Sequence, residues 1–181
     1  ISGTPCYSKE HDLEKITLMT SIIILCFNQL EYTKKCLQSI VKYTSVPYEL
    51  ILVDNGSTDG TVAFLEDYAN KHDNCKIILN NENRGFAGGN NQGIAAAEGD
   101  YILLLNNDVI VTQDWLERLI AHIESDENIG MSGPVSNSVS GPQQVDHVTY
   151  GQNMNKMQKF AGNYYKNNVG RNQGIFSLGG F

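Results

Sequence analysis

Four short apolar runs, each followed by a segment with helical spacing, restrict this chain more than any other feature. Ser21-Ile22-Ile23-Ile24-Leu25-Cys26-Phe27 is nearly continuous in its apolar character. Such runs suit strands buried on both faces of a parallel sheet. Glu31 to Thr44 follows with Cys36, Leu37, Ile40 and Val41 on one helical face, and Pro47 ends it. The pattern then repeats. Tyr48 to Val53 reads as the second strand, and Asp59 can cap a helix in which Val62, Leu65, Tyr68 and Ala69 share a face. Cys75 to Leu79 reads as the third strand, and a Gly-rich stretch from Arg84 to Gly89 opens a helix through Ala97. Tyr101 to Leu105 reads as the fourth, and Thr112 can cap a helix facing the core with Leu116, Leu119, Ile120 and Ile123. Ile129 to Gly133 is the expected fifth strand. Regular alternation of this kind predicts right-handed βαβ units: an α/β fold, mostly parallel, with helices on both faces.

The organisation expected is a leader or linker over 1–20, an α/β core over 21–134, and an irregular segment over 135–181. The last is rich in Asn, Gln, Gly, Ser and Lys, and a stretch that long without periodicity is usually functional. Gly174 to Phe181 is apolar enough for one further strand. The 181 residues allow one domain with a sizeable core.

Composition excludes several classes. The formal net charge of -7 argues against a broad nucleic-acid surface. No apolar run approaches the ~20 residues of a membrane span. The first 19 residues lack a signal-peptide layout, and Cys6, Cys26, Cys36 and Cys75 lack metal or disulfide spacing. A cytoplasmic setting is the expectation. His11, His72, His122 and His147 show no metal spacing and are expected to be structural or exposed.

Open α/β sheets bind ligands at the carboxyl ends of their strands. Four segments lie there. Phe27-Asn28-Gln29 follows the first strand; it is not a Gly-rich phosphate loop, and Phe27 either covers a flat base or is a wall residue. Asp54-Asn55-Gly56-Ser57 follows the second, where the Asp54 carboxylate can accept a base N–H or a ribose hydroxyl and Asn55-Gly56 makes a tight turn. Asn83 to Gly93 follows the third, where Arg84 is a fixed cation and Gly85 and Gly88 let backbone approach a phosphate at a helix N-terminus. Asn106-Asn107-Asp108 follows the fourth, delivering Asp108, a hard oxygen ligand for Mg²⁺ or Mn²⁺, to the sheet edge. Asn106 can hydrogen-bond a ribose.

Taken together and in order, these four segments resemble the inverting family-two glycosyltransferases, whose single Rossmann-like domain is called GT-A. The match covers about residues 20–134, and Gly85-Phe86-Ala87 looks like the rhamnosyltransferase-type branch. The resemblance implies transfer of a hexose or deoxyhexose from a UDP- or dTDP-type sugar to an acceptor hydroxyl with inversion. The acceptor would be a carbohydrate, lipid-linked or protein hydroxyl, as in polysaccharide biosynthesis. Phe27, Asn28, Asp54, Asn55, Arg84, Gly85, Gly88, Asn91, Asn106 and Asn107 would line the donor site, and Asp108 would hold a divalent metal (Mn or Mg). Asn106 stands where the family often has the first Asp of an Asp-x-Asp motif, which leaves one carboxylate. The family's catalytic base follows a segment like Ser177-Leu178-Gly179-Gly180-Phe181, so the base is expected beyond Phe181 and the fold to be incomplete at its C-terminus. No acidic residue follows Asp146. Two rivals stand beside this reading: a sugar nucleotidyltransferase, disfavoured by Phe27-Asn28-Gln29, and a non-catalytic interaction module, which fits a chain without a base.

Overall fold

A computed structural model describes residues 18–139 and 141–174. Strands β1 (Thr20–Cys26), β2 (Tyr48–Asp54), β3 (Cys75–Leu79) and β4 (Tyr101–Asn106) alternate with helices α1 (Leu30–Tyr43), α2 (Thr61–Ala69) and α3 (Gly85–Ala95). Helices α4 (Trp115–Ile123) and α5 (Met154–Asn168) follow. These elements fall into two compact units, residues 18–42 and 46–111 in one and residues 43–45 and 112–174 in the other.

The first unit is the sheet. All its pairings are parallel, in the order β3-β2-β1-β4. The chain steps from β1 to β2 and β3 on one side and returns to β4 on the other, so the topological switch lies between β1 and β4. Register puts Cys26 opposite Asp54, Asp54 opposite Leu79 and Leu25 opposite Asn106. The four carboxyl ends are therefore level, and the loops that follow them share one edge.

Helices cover both sheet faces, which explains why β1 and β2 are apolar without alternation. Ile22, Ile24, Leu50 and Leu52 point to one face; there the α1 hydroxyl of Thr33 bonds the Cys26 thiol. Ile23, Ile51 and Val53 point to the other, against Ala96 and Ala97 at the end of α3. Each such side chain taken from water contributes about 1.5–3 kcal/mol. On β4 the second face is open among the described residues: Ile102 is 50% and Leu104 37% exposed.

Small residues let α3 come this close. A Cβ on Gly93 would overlap Cγ2 of Ile23, and one on Gly89 would overlap Cδ1 of Leu25. Gly93→Ala should therefore destabilise, because overpacking costs about 1–3 kcal/mol against a helix-propensity gain of at most ~1. Gly162→Ala in α5, where nothing lies within 4 Å of the added methyl, should stabilise by ~0.5–1 kcal/mol. Thermal melts of the two variants should move in opposite directions.

A polar clamp closes the amino edge. The buried Glu49 carboxylate accepts the Ser21 hydroxyl at 2.6 Å and the Glu98 N–H at 2.7 Å, and pairs with Lys76 at 2.9 Å. Burial alone raises the Glu49 carboxyl, yet these donors together hold it below the usual carboxylate range.

In the second unit, α4 is fixed by Trp115, whose Nε1–H donates to Thr44 Oγ1 at 2.9 Å, and by Glu117, which accepts both the N–H and hydroxyl of Ser45. Helix α5 is held to this by the Arg118 guanidinium, 3.7 Å above the Tyr165 ring, and by the Gln113 N–H donating to Gln158.

Helix α5 corrects the expectation that 135–174 is irregular. Met154, Met157, Phe160, Ala161, Tyr164 and Tyr165 recur at helical spacing, and Asn153 caps the start by accepting the Lys156 N–H. The surrounding Asn, Gln, Gly and Lys hid that stripe, and no residue of the helix is fully buried. The expected strand over 129–133 does not form either. Two glycines and the following Pro134 interrupt so short a run, and Met131 is exposed. Thr112 does not cap α4 with its hydroxyl; its carbonyl accepts the Trp115 N–H, and Asp114 turns the chain with φ 56°. Thr20, assigned to the leader, opens β1. The rest of the expected leader through residue 17, and the strand expected over 174–181 save Gly174 itself, lie outside the described residues.

Candidate functional site

Every residue expected at the donor site lies in the sheet unit, on the carboxyl edge. Asp54 ends β2 and is 0% exposed. Its Oδ2 accepts the N–H groups of Gly56 at 3.0 Å and Ser57 at 2.9 Å, a side-chain turn. Its Oδ1 is buried and has no hydrogen-bond partner. Leaving such an acceptor unmet costs about 1–3 kcal/mol. A ligand donor that reached Oδ1 would recover that cost.

The β1–α1 loop is strained. Asn28 and Gln29 adopt φ 56° and 62°, the left-handed region that side chains rarely enter. The next loop holds them there. Asn28 N–H donates to Ser57 Oγ at 2.7 Å, and Asn28 Oδ1 accepts the Thr58 N–H at 2.8 Å. Asp59 completes the tie: Oδ2 accepts the Leu30 N–H at the start of α1, and Oδ1 accepts the N–H and hydroxyl of Thr61 at the start of α2. The Thr61 hydroxyl, with these N–H groups, holds the Asp59 carboxyl below its usual range. The N-cap of α2 is Gly60, without a side-chain cap; Asp59, one residue earlier, instead ties the starts of α1 and α2 together. Phe27, just before the strained pair, is 47% exposed at the tip of β1.

Asn55 is 2% exposed. Its Nδ2 donates to Asn83 Oδ1 at 2.9 Å and Gly85 O at 3.3 Å, and its Oδ1 accepts the Arg84 N–H at 3.0 Å. Asn80 adds a fourth contact to Oδ1 at 3.4 Å and exchanges two hydrogen bonds with Gln92. The Asn55 amide is thus spent on shaping the β3–α3 loop. The result is an exposed turn, Arg84-Gly85, opening α3 with Gly85 at φ 72°. A helix N-terminus with a cation beside it favours an anion. Gly88 packs in the first turn, where a Cβ would lie 3.2 Å from that of Arg84. Asn91 is exposed, whereas Asn90 is buried and donates to Phe86 O.

After β4, Asn107 Nδ2 donates to Thr33 Oγ1 at 3.0 Å and to Asn28 O at 3.5 Å, so its amide braces the β1–α1 loop. Asn106 is half-buried, and its carbonyl accepts the Cys36 thiol. Asp108 is exposed on the turn that follows, near enough for its charge to act with burial in pushing the Cys36 thiol up to about 12. Among the described residues no three His, Cys, Asp or Glu side chains cluster as a metal cage. A metal here would need ligands from the bound anion, which suits Mg²⁺ or Mn²⁺ between phosphate oxygens. Asp108 fits that role as a single exposed hard donor. Ser57, Thr58, Asn80, Asn83 and Gln92 organise this edge but are not themselves in the expected site; a run of amides after a strand end is the signal that points to them.

The edge as a whole combines an unmet buried acceptor at β2, a helix N-terminus with Arg84 after β3, and a lone carboxylate after β4. Residues 21–179 match the family described as Glycosyl transferase family 2, and the chain belongs to that family. It is 34% identical over 105 residues to the glycosyltransferase AglE of Haloferax volcanii, covering 57% of this chain and 34% of AglE. Against the glycosyltransferase GlyG of Streptococcus pneumoniae identity is 33% over 107 residues, 59% of this chain and 35% of the relative. The chain thus spans about a third of the length of these curated relatives. In structure it resembles the mannosyltransferase PcManGT of Pyrobaculum calidifontis in complex with GDP-Man and Mn²⁺, with a TM-score of 0.56 and 23% identity over 61% of this chain and 33% of that one. It also resembles TarS of S. aureus in complex with UDP-GlcNAc, with a TM-score of 0.53 and 24% identity over 67% and 39%. The fold is the GT-A fold.

Proposed function

We propose that this chain is the donor-binding part of an inverting glycosyltransferase that moves a hexose or deoxyhexose from a nucleoside diphosphate to an acceptor hydroxyl. The observation that carries the reading is the unmet Oδ1 of Asp54, a buried acceptor at the tip of β2, one strand from the topological switch. A base N–H of a UDP- or dTDP-type donor is the partner that would satisfy it. With Asp54 fully buried, the donor must displace what covers Oδ1. Arg84 and the first N–H groups of α3 would meet the diphosphate. Asn28, Asn55 and Asn107 keep the edge in shape, while Asn106, Gly88 and Asn91 border the sugar and phosphates.

Transfer builds negative charge on the leaving diphosphate. A Mg²⁺ or Mn²⁺ ion held by Asp108 would supply charge stabilisation there, an effect worth several kcal/mol. In inversion a general base takes the proton of the acceptor hydroxyl as the bond to the sugar forms opposite the leaving group. No residue described here is assigned as that base. The metal-bound, UDP-sugar and GDP-sugar neighbours support this chemistry by likeness of fold. A cytoplasmic setting belongs to the proposal and is supported by the free thiols of Cys26, Cys36 and Cys75. Among the described residues no helix is long and apolar enough to cross a membrane.

The metal part is tested by measuring nucleoside-diphosphate affinity against Mn²⁺ concentration. Affinity should rise with Mn²⁺ in the wild-type chain and become independent of it in Asp108→Ala. Unchanged Mn²⁺ dependence in that variant would remove Asp108 from the metal site.

A further inference from the structure

The second unit carries a basic, aromatic-walled depression that the donor-site reading does not use. Residues 147–181 hold Lys156, Lys159, Lys166 and Arg171 but none of the chain's 20 acidic residues, although the net charge is -7. Two of these lysines border an open depression of about 230 Å³ lined by Thr149, Tyr150, Lys156, Lys159, Phe160 and Asn163. Lys156, Lys159 and Asn163 recur at i, i+3 and i+7 along one flank of α5, so they stand in a row over roughly 10 Å. Among the described residues neither ammonium is paired with a carboxylate. The wall behind them is aromatic. Tyr150 meets Phe160 edge-on at 5.2 Å, and Phe160 stacks on Tyr164 at 6.1 Å.

We propose that this depression binds a single sugar ring bearing an oxyanion, either phosphate or carboxylate. The ammonium groups of Lys156 and Lys159 take the anion as point charges, Asn163 and Thr149 bond ring hydroxyls, and the exposed part of the Phe160 ring covers the apolar side of the sugar. The volume lies below the ~300 Å³ at which pockets for larger ligands begin, so it suits one ring with its anion and not a nucleoside diphosphate. Treating this ligand as the glycosyl acceptor rests on the transferase reading above; its binding does not.

The test titrates the 181-residue chain, at low salt and at 0.3 M salt, with glucose 1-phosphate, glucuronate, glucose and inorganic phosphate. The proteins are the wild type, the doubly substituted Lys156→Gln/Lys159→Gln, and Asp54→Asn. Glucose 1-phosphate, glucuronate or both should bind about tenfold more tightly than glucose or phosphate alone, with affinity falling as salt rises. Which of the two binds names the anion. The double substitution should weaken binding about tenfold or more, and both lysines are exposed, so the fold should survive it. Asp54→Asn should leave it unchanged. Equal binding by wild type and double variant, or phosphate binding as well as the phosphosugar, would overturn the proposal. Phosphosugar binding in a chain that binds no nucleotide would keep this site and sink the donor-site reading.

Discussion

Asp54→Asn should cost this protein its nucleotide affinity while leaving its fold nearly intact. Asparagine keeps one oxygen in the place of Oδ2, so the N–H groups of Gly56 and Ser57 retain their acceptor. It puts an NH₂ group where Oδ1 now lies buried and unpartnered. An incoming base N–H would then meet a donor instead of an acceptor. A hydrogen bond to a charged group contributes about 1.5–3 kcal/mol, so affinity should fall about 10- to 100-fold. Stability should stay within ~1 kcal/mol of wild type, because an unpartnered buried NH₂ group takes the place of an unpartnered buried carboxylate oxygen. Calorimetry and a thermal melt on one preparation check both halves. Affinity for inorganic pyrophosphate, which has no base, should be untouched. A variant that melts early and binds poorly would instead assign Asp54 to the turn alone.

The second large effect is expected at Asn55, and it should be structural first. Asn55→Ala removes two donated and two accepted contacts from a residue 2% exposed, orphaning the Arg84 N–H, while Asn83 Oδ1 keeps the Gly85 N–H. At about 1 kcal/mol per bond, with the cost of orphaned partners, the loss should reach ~2–4 kcal/mol. For a chain of this size that lowers Tm by roughly 5–15 °C. Amide exchange at Arg84 should quicken, because its acceptor is gone. Asn55→Asp is the informative partner. Its carboxylate still accepts the Arg84 N–H, but the bonds to Asn83 Oδ1 and Gly85 O are lost, and turning the Asn83 amide to donate to it would break the bond from Gly85 N–H to Asn83 Oδ1. That variant should recover part of the lost Tm. An alanine variant as stable as wild type would contradict the role assigned to this amide.

The sheet was legible because parallel strands buried on both faces leave unbroken apolar runs. Cys75–Leu79 is bounded as the sequence predicts, and β1, β2 and β4 shift by a residue at one end or both. Those differences lie at strand tips, where Asp54 and Asn106 continue the ladder with polar side chains that periodicity does not count. Helix α5 was not legible, because its apolar stripe is diluted by four asparagines and three lysines within fifteen residues. The strand expected at 129–133 failed for the opposite reason: apolar residues were present, but glycine and proline denied them a pairing conformation. Within the site, the sequence pointed to Asp54, Arg84 and Asp108 through their place after strands. It could not separate residues that would face a ligand from those that hold the edge. Asn55 and Asn107 look the same as Asn91 in a sequence, yet their amides are spent inside the protein while Asn91 is exposed. Hydrogen-bond partners across 28 to 79 residues of chain decide that, and no local pattern encodes them.

The most direct measurement is a calorimetric titration of this chain with UDP, dTDP and GDP, each with and without Mn²⁺. Saturable binding of one of them, strengthened by Mn²⁺, is the predicted result, and the nucleotide that binds names the donor class. Absence of binding by all three, in a chain whose melt shows a cooperative fold, would contradict the assignment of this sheet edge to a nucleotide sugar.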